Sequence, residues 1–160
     1  MAVQTGRTVS KFITFRIDDS AGAMRSIAVD SVGVVGLVYD EVDLTAWMDA
    51  VKGALPNHPD APISIAGPWD TTAATGSHVV LSGIASPTYC MTPRSLDIQF
   101  GMRQTYVTGE PQFGISGVAA GNVGYVITSY TVDPSAGKYS ATFRLFPGST
   151  APAWGLAPET

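Results

Sequence analysis

Hydrophobic and polar residues alternate over short stretches separated by turn residues, and this rhythm predicts strands along most of the chain. Within residues 11–18, Ile13, Phe15 and Ile17 alternate with Phe12, Thr14, Arg16 and Asp18, which predicts a strand followed by an Asp19-Ser20-Ala21-Gly22 turn. Residues 24–36 mix apolar side chains with Gly33 and Gly36 and fit short, edge-like structure. The plainest alternation covers residues 95–103: Leu96, Ile98, Phe100 and Met102 point to a core, Ser95, Asp97, Gln99 and Arg103 to water. Further strands are predicted at 112–118, 124–132 and 138–146, the last two joined by the turn Asp133-Pro134-Ser135-Ala136-Gly137.

Residues 38–47 are ambiguous. Tyr39, Glu41, Asp43, Thr45 and Trp47 alternate with Val38, Val42, Leu44 and Ala46, yet Leu44, Met48, Val51 and Leu55 fall at helical spacing. The reading adopted is a strand to about Trp47, then a short helical turn or a long loop ending in Pro56-Asn57-His58-Pro59-Asp60. Residues 61–69 hold Ile63 and Ile65 and run into Gly67-Pro68-Trp69-Asp70, where Pro68 suits a strand end or bulge but not a central ladder. Ser77 before Val79, Val80, Leu81 and Ile84 predicts a short capped helix with one apolar stripe, stopped by Pro87 and weakened by about 1 kcal/mol at Gly83.

Beyond Phe146 the chain passes through Pro152, Trp154 and Pro158 with little charge and no core of its own. Such a tail is mobile or lies along a neighbour, and Trp154 favours docking. The fold expected is mainly β: one β-sandwich or barrel-like domain over 1–146, with one short packed helix and a long loop, then a Pro-rich C-terminal tail over 147–160.

Composition narrows the function classes. With 160 residues, 45% hydrophobic and 14% charged, the chain can bury a real core, while 17 glycines and 11 prolines cut it too often for a helical bundle. A net charge of -4, three lysines (Lys11, Lys52, Lys138) and scattered arginines provide no clustered basic face for nucleic acid. Residues 1–10 contain no apolar signal-peptide core, and no apolar run reaches the about 18 residues of a membrane span. The expectation is a protein made and used inside a cell, or released by lysis, with no membrane partner.

Catalytic constellations are missing from the pattern. Cys90 stands alone and is expected to be a buried structural thiol. His58 and His78 lack zinc-ligand spacing and read as surface or capping residues. Gly114-Ile115-Ser116-Gly117 is not a nucleophile elbow, and Gly121 to Gly124 forms no dinucleotide or Walker loop; both read as strand and hairpin glycines. Asp18-Asp19 and Asp40-Glu41-Val42-Asp43 read as a solvated acidic face, the second cluster lacking the glycine and terminal glutamate of a calcium loop. With no nucleophile beside a base and no metal signature, the sequence predicts a structural or binding protein, not an enzyme, with no cofactor.

The order of three motifs carries a resemblance. Phe15-Arg16-Ile17-Asp18-Asp19-Ser20-Ala21-Gly22, then Glu41-Val42-Asp43-Leu44-Thr45, then Ile63-Ser64-Ile65-Ala66-Gly67-Pro68-Trp69-Asp70 resemble segments of the tail tube (major tail) proteins of long-tailed bacteriophages. The short helix and the three-strand end follow the same plan, so the resemblance covers about residues 11–146. Pro68, where a plain strand residue is usual, and the Pro-rich end depart from the family pattern.

The resemblance implies a virion structural protein, made in the host cytoplasm and located in the tail. Its partners would be copies of itself in stacked, hexameric rings and other tail proteins: tip, tape measure and terminator. DNA would pass through the lumen at ejection without specific binding. A wall that lets a polyanion slide should be acidic or neutral, and Tyr39, Glu41, Asp43 and Thr45 are the first candidates, ahead of Ser95, Asp97, Gln99 and Arg103. Trp47, Met48, Val51 and Leu55 are the candidates for ring stacking, and Trp154 for a C-terminal contact. Alternatives are a head decoration or head-to-tail joining protein, or a carbohydrate-binding β-sandwich, although the apolar and turn residues flanking Trp47, Trp69 and Trp154 suggest packing rather than sugar platforms.

Overall fold

Ile13, Phe15 and Ile17 seat the strand β1 (Ile13–Asp18) inside a five-stranded antiparallel sheet of a computed structural model that describes residues 2–116 and 123–155. That sheet runs in the order β11 (Ala153–Trp154), β8 (Gln112–Ile115), β7 (Leu96–Phe100), β1, β2 (Met24–Ile27). A second sheet orders β3 (Ser31–Val32), β6 (Ile63–Pro68), β10 (Lys138–Leu145) and β9 (Tyr125–Asp133), again antiparallel. The third is a lone hairpin of β4 (Val38–Asp43) and β5 (Ala54–Asp60).

The first two sheets face each other as a sandwich, with Phe15 of β1 and Phe143 of β10 at 5.6 Å between ring centroids in a shared core. Each such buried ring stabilises the fold by about 1.5–3 kcal/mol. The backbones of Arg94 and Tyr125 exchange hydrogen bonds of 2.8 and 2.9 Å, which couples the approach to β7 with β9 and gives the sandwich a barrel-like closure. The buried hydroxyls of Tyr125 and Tyr139 donate to the carbonyls of Ala61 and Ala28, and burial raises both phenol pKa values. The helix α1 (Ser77–Ile84) packs Val80, Leu81 and Ile84 into this core.

Turn chemistry matches the sequence reading at the β9–β10 connection. Asp133 accepts the backbone N–H of Ser135, and Gly137 takes φ 64°, a conformation that favours glycine. Pro68 ends β6 beyond the reach of β3, which pairs only with Ile65 and Ala66, so its missing N–H interrupts no central ladder. The predicted strand over 112–118 is observed to Ile115; its end at Val118, together with Gly117, Gly121 and, in the tail, Pro158, lies outside the described residues.

Several expectations need correction. Lys11 and Phe12 belong to a 3-10 turn (Ser10–Phe12), not to the first strand. Ser77 is the first helical residue rather than the cap: Gly76 occupies the cap, and the Ser77 hydroxyl donates to Pro68 O and accepts from Asp70 N, tying the helix to β6. Val79 is exposed, outside the buried stripe. Cys90 is half-buried because it lies in the turns after α1, where its thiol faces Pro87 O. Asp18 is buried and accepts from Ser95 N, and Asp19 accepts from Ala21 N, Ala23 N and Arg25 Nε, so this pair organises a turn instead of a solvated face. His58 sits in β5, not a loop, whereas His78 lies in the first turn of α1 and meets the Tyr130 hydroxyl at 2.9 Å through Nδ1.

The largest correction concerns the wet face assigned to residues 95–103. Ser95 and Asp97 are fully buried, and the Asp97 carboxylate receives Arg16 Nε at 3.0 Å and Nη2 at 2.8 Å. Gly114 makes room across the pair, since a Cβ there would stand 2.8 Å from Asp97 Cβ. Tyr106 also reaches this pair: burial and the Asp97 charge both raise its hydroxyl pKa. Ser95 and Asp97 are therefore interior, Gln99 is half-buried, and Arg103 is exposed but lies beyond the end of β7, so the four do not form one wet strand face.

Glu110 closes the same side. It is buried and accepts the N–H groups of Gln4 (3.0 Å) and Val107 (3.1 Å), which fastens the N-terminal arm to the loop after β7. Burial opposes its ionisation, but the backbone donors from Gln4, Val107 and Met102 outweigh burial and hold its pKa below the ordinary value. A depressed carboxylate contributes stability above the unfolded pKa of about 4.3 and loses it as pH falls through the folded value. Hydrogen exchange should therefore show protection at Gln4 and Val107 at pH 6 that is lost only once the pH has fallen below the ordinary carboxylate value, and Glu110→Gln should reduce it at pH 6. Unchanged protection in both cases contradicts this role.

Candidate assembly surface

The β4–β5 hairpin is an arm that neither large sheet pairs with. Sequence reading placed a strand to Trp47 and then a loop. Instead β4 ends at Asp43, residues 44–53 form the tip, and the Pro-rich segment returns as β5. The prolines mislead because they usually break ladders; here both outer edges of a two-stranded hairpin are open, so Pro56 and Pro59 displace no required donor. Opposite Asp40 the register shifts by one residue on β5.

Alternation along β4 gives the arm two faces. Tyr39, Glu41 and Asp43 share one face with their partners Pro59, Pro56 and Ala54. Val38, Asp40 and Val42 share the other, where Val42 opposes Leu55 and Val38 opposes Asp60. The structure thus brings the acidic wall candidates and the stacking candidates onto one element. At its base, Asp60 pairs with Arg144 of β10 at 2.9 Å.

The tip is held by its own polar groups. Asp43 Oδ1 accepts from Thr45 N and Oγ1 at 2.9 and 2.6 Å, Thr45 Oγ1 accepts from Gly53 N, and Asp49 Oδ2 accepts from Ala46 N. The Thr45 hydroxyl first, then its backbone N–H, holds the Asp43 pKa below the usual carboxylate range. With these polar groups engaged, the apolar ones face water: Trp47 is 105% exposed, Met48 97% and Val51 77%. Leu44, Leu55, Val38 and Val42 are exposed as well. Among the described residues Trp47 packs on nothing in its own chain, contrary to the packing its neighbours suggested. Val38 and Val42, read from sequence as the dry side of a strand, were missed as surface residues because alternation cannot tell a core face from an interface.

Trp154 docks on its own subunit. As β11 it pairs with Phe113 of β8, and its ring lies 5.0 Å from Phe113 and 5.6 Å from Phe100, leaving 54% of the residue exposed. Trp69 is also partly exposed and stacks at 5.1 Å on His78. Open strand edges complete the surface. β9 pairs with β10 on one side, and beyond Tyr125 its other edge has no partner strand among the described residues; β2 is the opposite sheet's outer strand. Neither 125–133 nor 24–27 contains lysine, the residue that most often blocks edge pairing.

No protein-family model and no curated protein matches the sequence. Similar chains occur in three solved assemblies. In the cryo-EM structure of an extracellular contractile injection system, the PVC sheath/tube terminator in its extended state, one chain is 12% identical, with a TM-score of 0.60 over 96% of this chain and 99% of that one. A chain of the six-fold symmetrised anti-feeding prophage (AFP) baseplate is 7% identical, with a TM-score of 0.64 over 94% and 97%. The PVC sheath-tube complex, also extended, contains a chain 9% identical, with a TM-score of 0.59 over 94% and 93%. Over nearly its whole length this chain has the fold of subunits built into contractile injection and prophage baseplate assemblies, rather than a likeness confined to tubes of long-tailed phages.

Proposed function

We propose that this chain is a structural subunit of a phage-tail-like particle, assembling with copies of itself into stacked six-membered rings that form a conduit. The observation that carries this reading is the arm: a rigidly capped tip presents Trp47, Met48 and Val51 to solvent, and exposed apolar groups this concentrated mark a contact surface. Pairing of open edges such as β9 and β2 between neighbours would close a ring and remove the edges. The symmetry of the similar baseplate assembly supports six copies.

The acidic face of the arm, with Tyr39, Glu41, Asp43 and Thr45, lines the passage in this reading. Its carboxylates repel a polyanion and release no counterions, so DNA slides without being held. Other tail proteins, such as tip, tape measure and terminator, meet the ends and interior of the tube. Two measurements test the reading. Native mass spectrometry of concentrated protein should show hexamers and their multiples, and a stable dimer contradicts the ring. Exchanging Glu41 and Asp43 for lysine should leave assembly intact and slow DNA release from particles; release at the normal rate removes the lumen role.

A further inference from the structure

A groove on the body of the subunit matches the arm in polarity and charge. It has a volume of about 430 Å³ and lies between the Ser10–Phe12 turn with the start of β1 and the segment leading into β3. Ile13, Val29 and Val32 are half-buried there and continue into the hydrophobic core, so the groove offers an apolar floor. On its rim, Asp30 is neutralised by Lys138, while Lys11 has no carboxylate partner among the described ion pairs.

More positive charge stands beside it. Thr8 Oγ1 bonds Gly101 O, and a Cβ on Gly6 would stand 2.7 Å from Arg103 Nη2, so Arg7 and Arg103 belong to the same edge of the molecule as Lys11. Neither arginine has a described ion-pair partner. The arm carries the reverse balance: Asp40, Glu41, Asp43 and Asp49 against Lys52 alone over 38–53.

Resting on the assembly reading above, we propose that this groove receives the arm tip of a second copy. Trp47 seats over Ile13, Val29 and Val32, and Lys11 faces Asp40 and Asp49 of the arriving arm. The face bearing Val38, Val42 and Leu55 then turns toward the host subunit, and the Glu41–Asp43 face turns away from it. A tip-to-groove contact uses two different patches on each copy, and such a contact propagates without limit unless its rotation closes it into a ring. Stacked rings require that property.

The test joins the two patches across copies. In a Cys90→Ser background, untagged Ala50→Cys protein, which keeps Trp47, is mixed with tagged Ser31→Cys protein under mild oxidation at a concentration where the parent assembles. Both sites are exposed, so the fold tolerates the changes. The expected product is a mixed disulfide dimer in clear excess over either homodimer, reversed by reductant. Homodimers alone, or no cross-link, in protein that still assembles overturn the groove and leave arm-driven assembly standing. A parent that forms no assemblies overturns both. As a second measurement, Lys11→Glu should raise the concentration needed for assembly by about tenfold, and an unchanged threshold contradicts the charge match.

Discussion

Replacing the tip, residues 44–53, by Asn-Gly should give a subunit that folds normally and no longer assembles. Asp43 and Ala54 face each other at the end of the hairpin, so a two-residue type I′ turn can close it. No member of the buried core lies in the removed segment, and the thermal midpoint should stay within about 4 °C of the parent's. Assembly loses much more. If Trp47 and Met48 become buried between copies, each contributes about 1.5–3 kcal/mol, so the critical concentration should rise by about 10² to 10⁴-fold. Light scattering against concentration reads this, and tubes forming at the parent's threshold would show that the tip is not a contact.

Arg16→Ala should be the most destabilising single change outside the apolar core. Asp97 is 0% exposed and receives both Arg16 donors. Removing the guanidinium leaves a buried carboxylate without its partner, which costs about 3–5 kcal/mol. At about 2–4 °C per kcal/mol for a chain of this size, the midpoint should fall by roughly 6–20 °C. The pair variant Arg16→Met with Asp97→Leu removes both charges and should recover most of the loss. A drop under 2 °C for Arg16→Ala would mean that solvent reaches Asp97 once the guanidinium is gone.

Much of the body of the fold can be read from the sequence, because a one-sided strand writes its burial into its alternation. Phe15 and Ile17, Ile63 and Ile65, and Tyr139, Ala141 and Phe143 are all buried on that principle. The same logic fails at residues 95–103, since alternation cannot reveal that Arg16 from a neighbouring strand neutralises Asp97. It fails again at the arm. Val38 and Val42 alternate with Tyr39, Glu41 and Asp43 like a half-buried strand, yet both faces are exposed because no other sheet lies against them. The candidates Trp47, Met48 and Val51 were legible as an apolar excess in a polar neighbourhood. Their joining to Glu41 and Asp43 in one hairpin was hidden by Pro56 and Pro59, which read as loop when no neighbour's edge is known.

Cryo-electron microscopy of assemblies formed by the concentrated full-length protein tests the central claim most directly. The account predicts hollow tubes of stacked six-membered rings, with density for Trp47 and Met48 buried against the adjoining copy and Glu41 and Asp43 facing the channel. Assemblies in which the β4–β5 arm stands free in solvent, or closed particles with no channel, would contradict it.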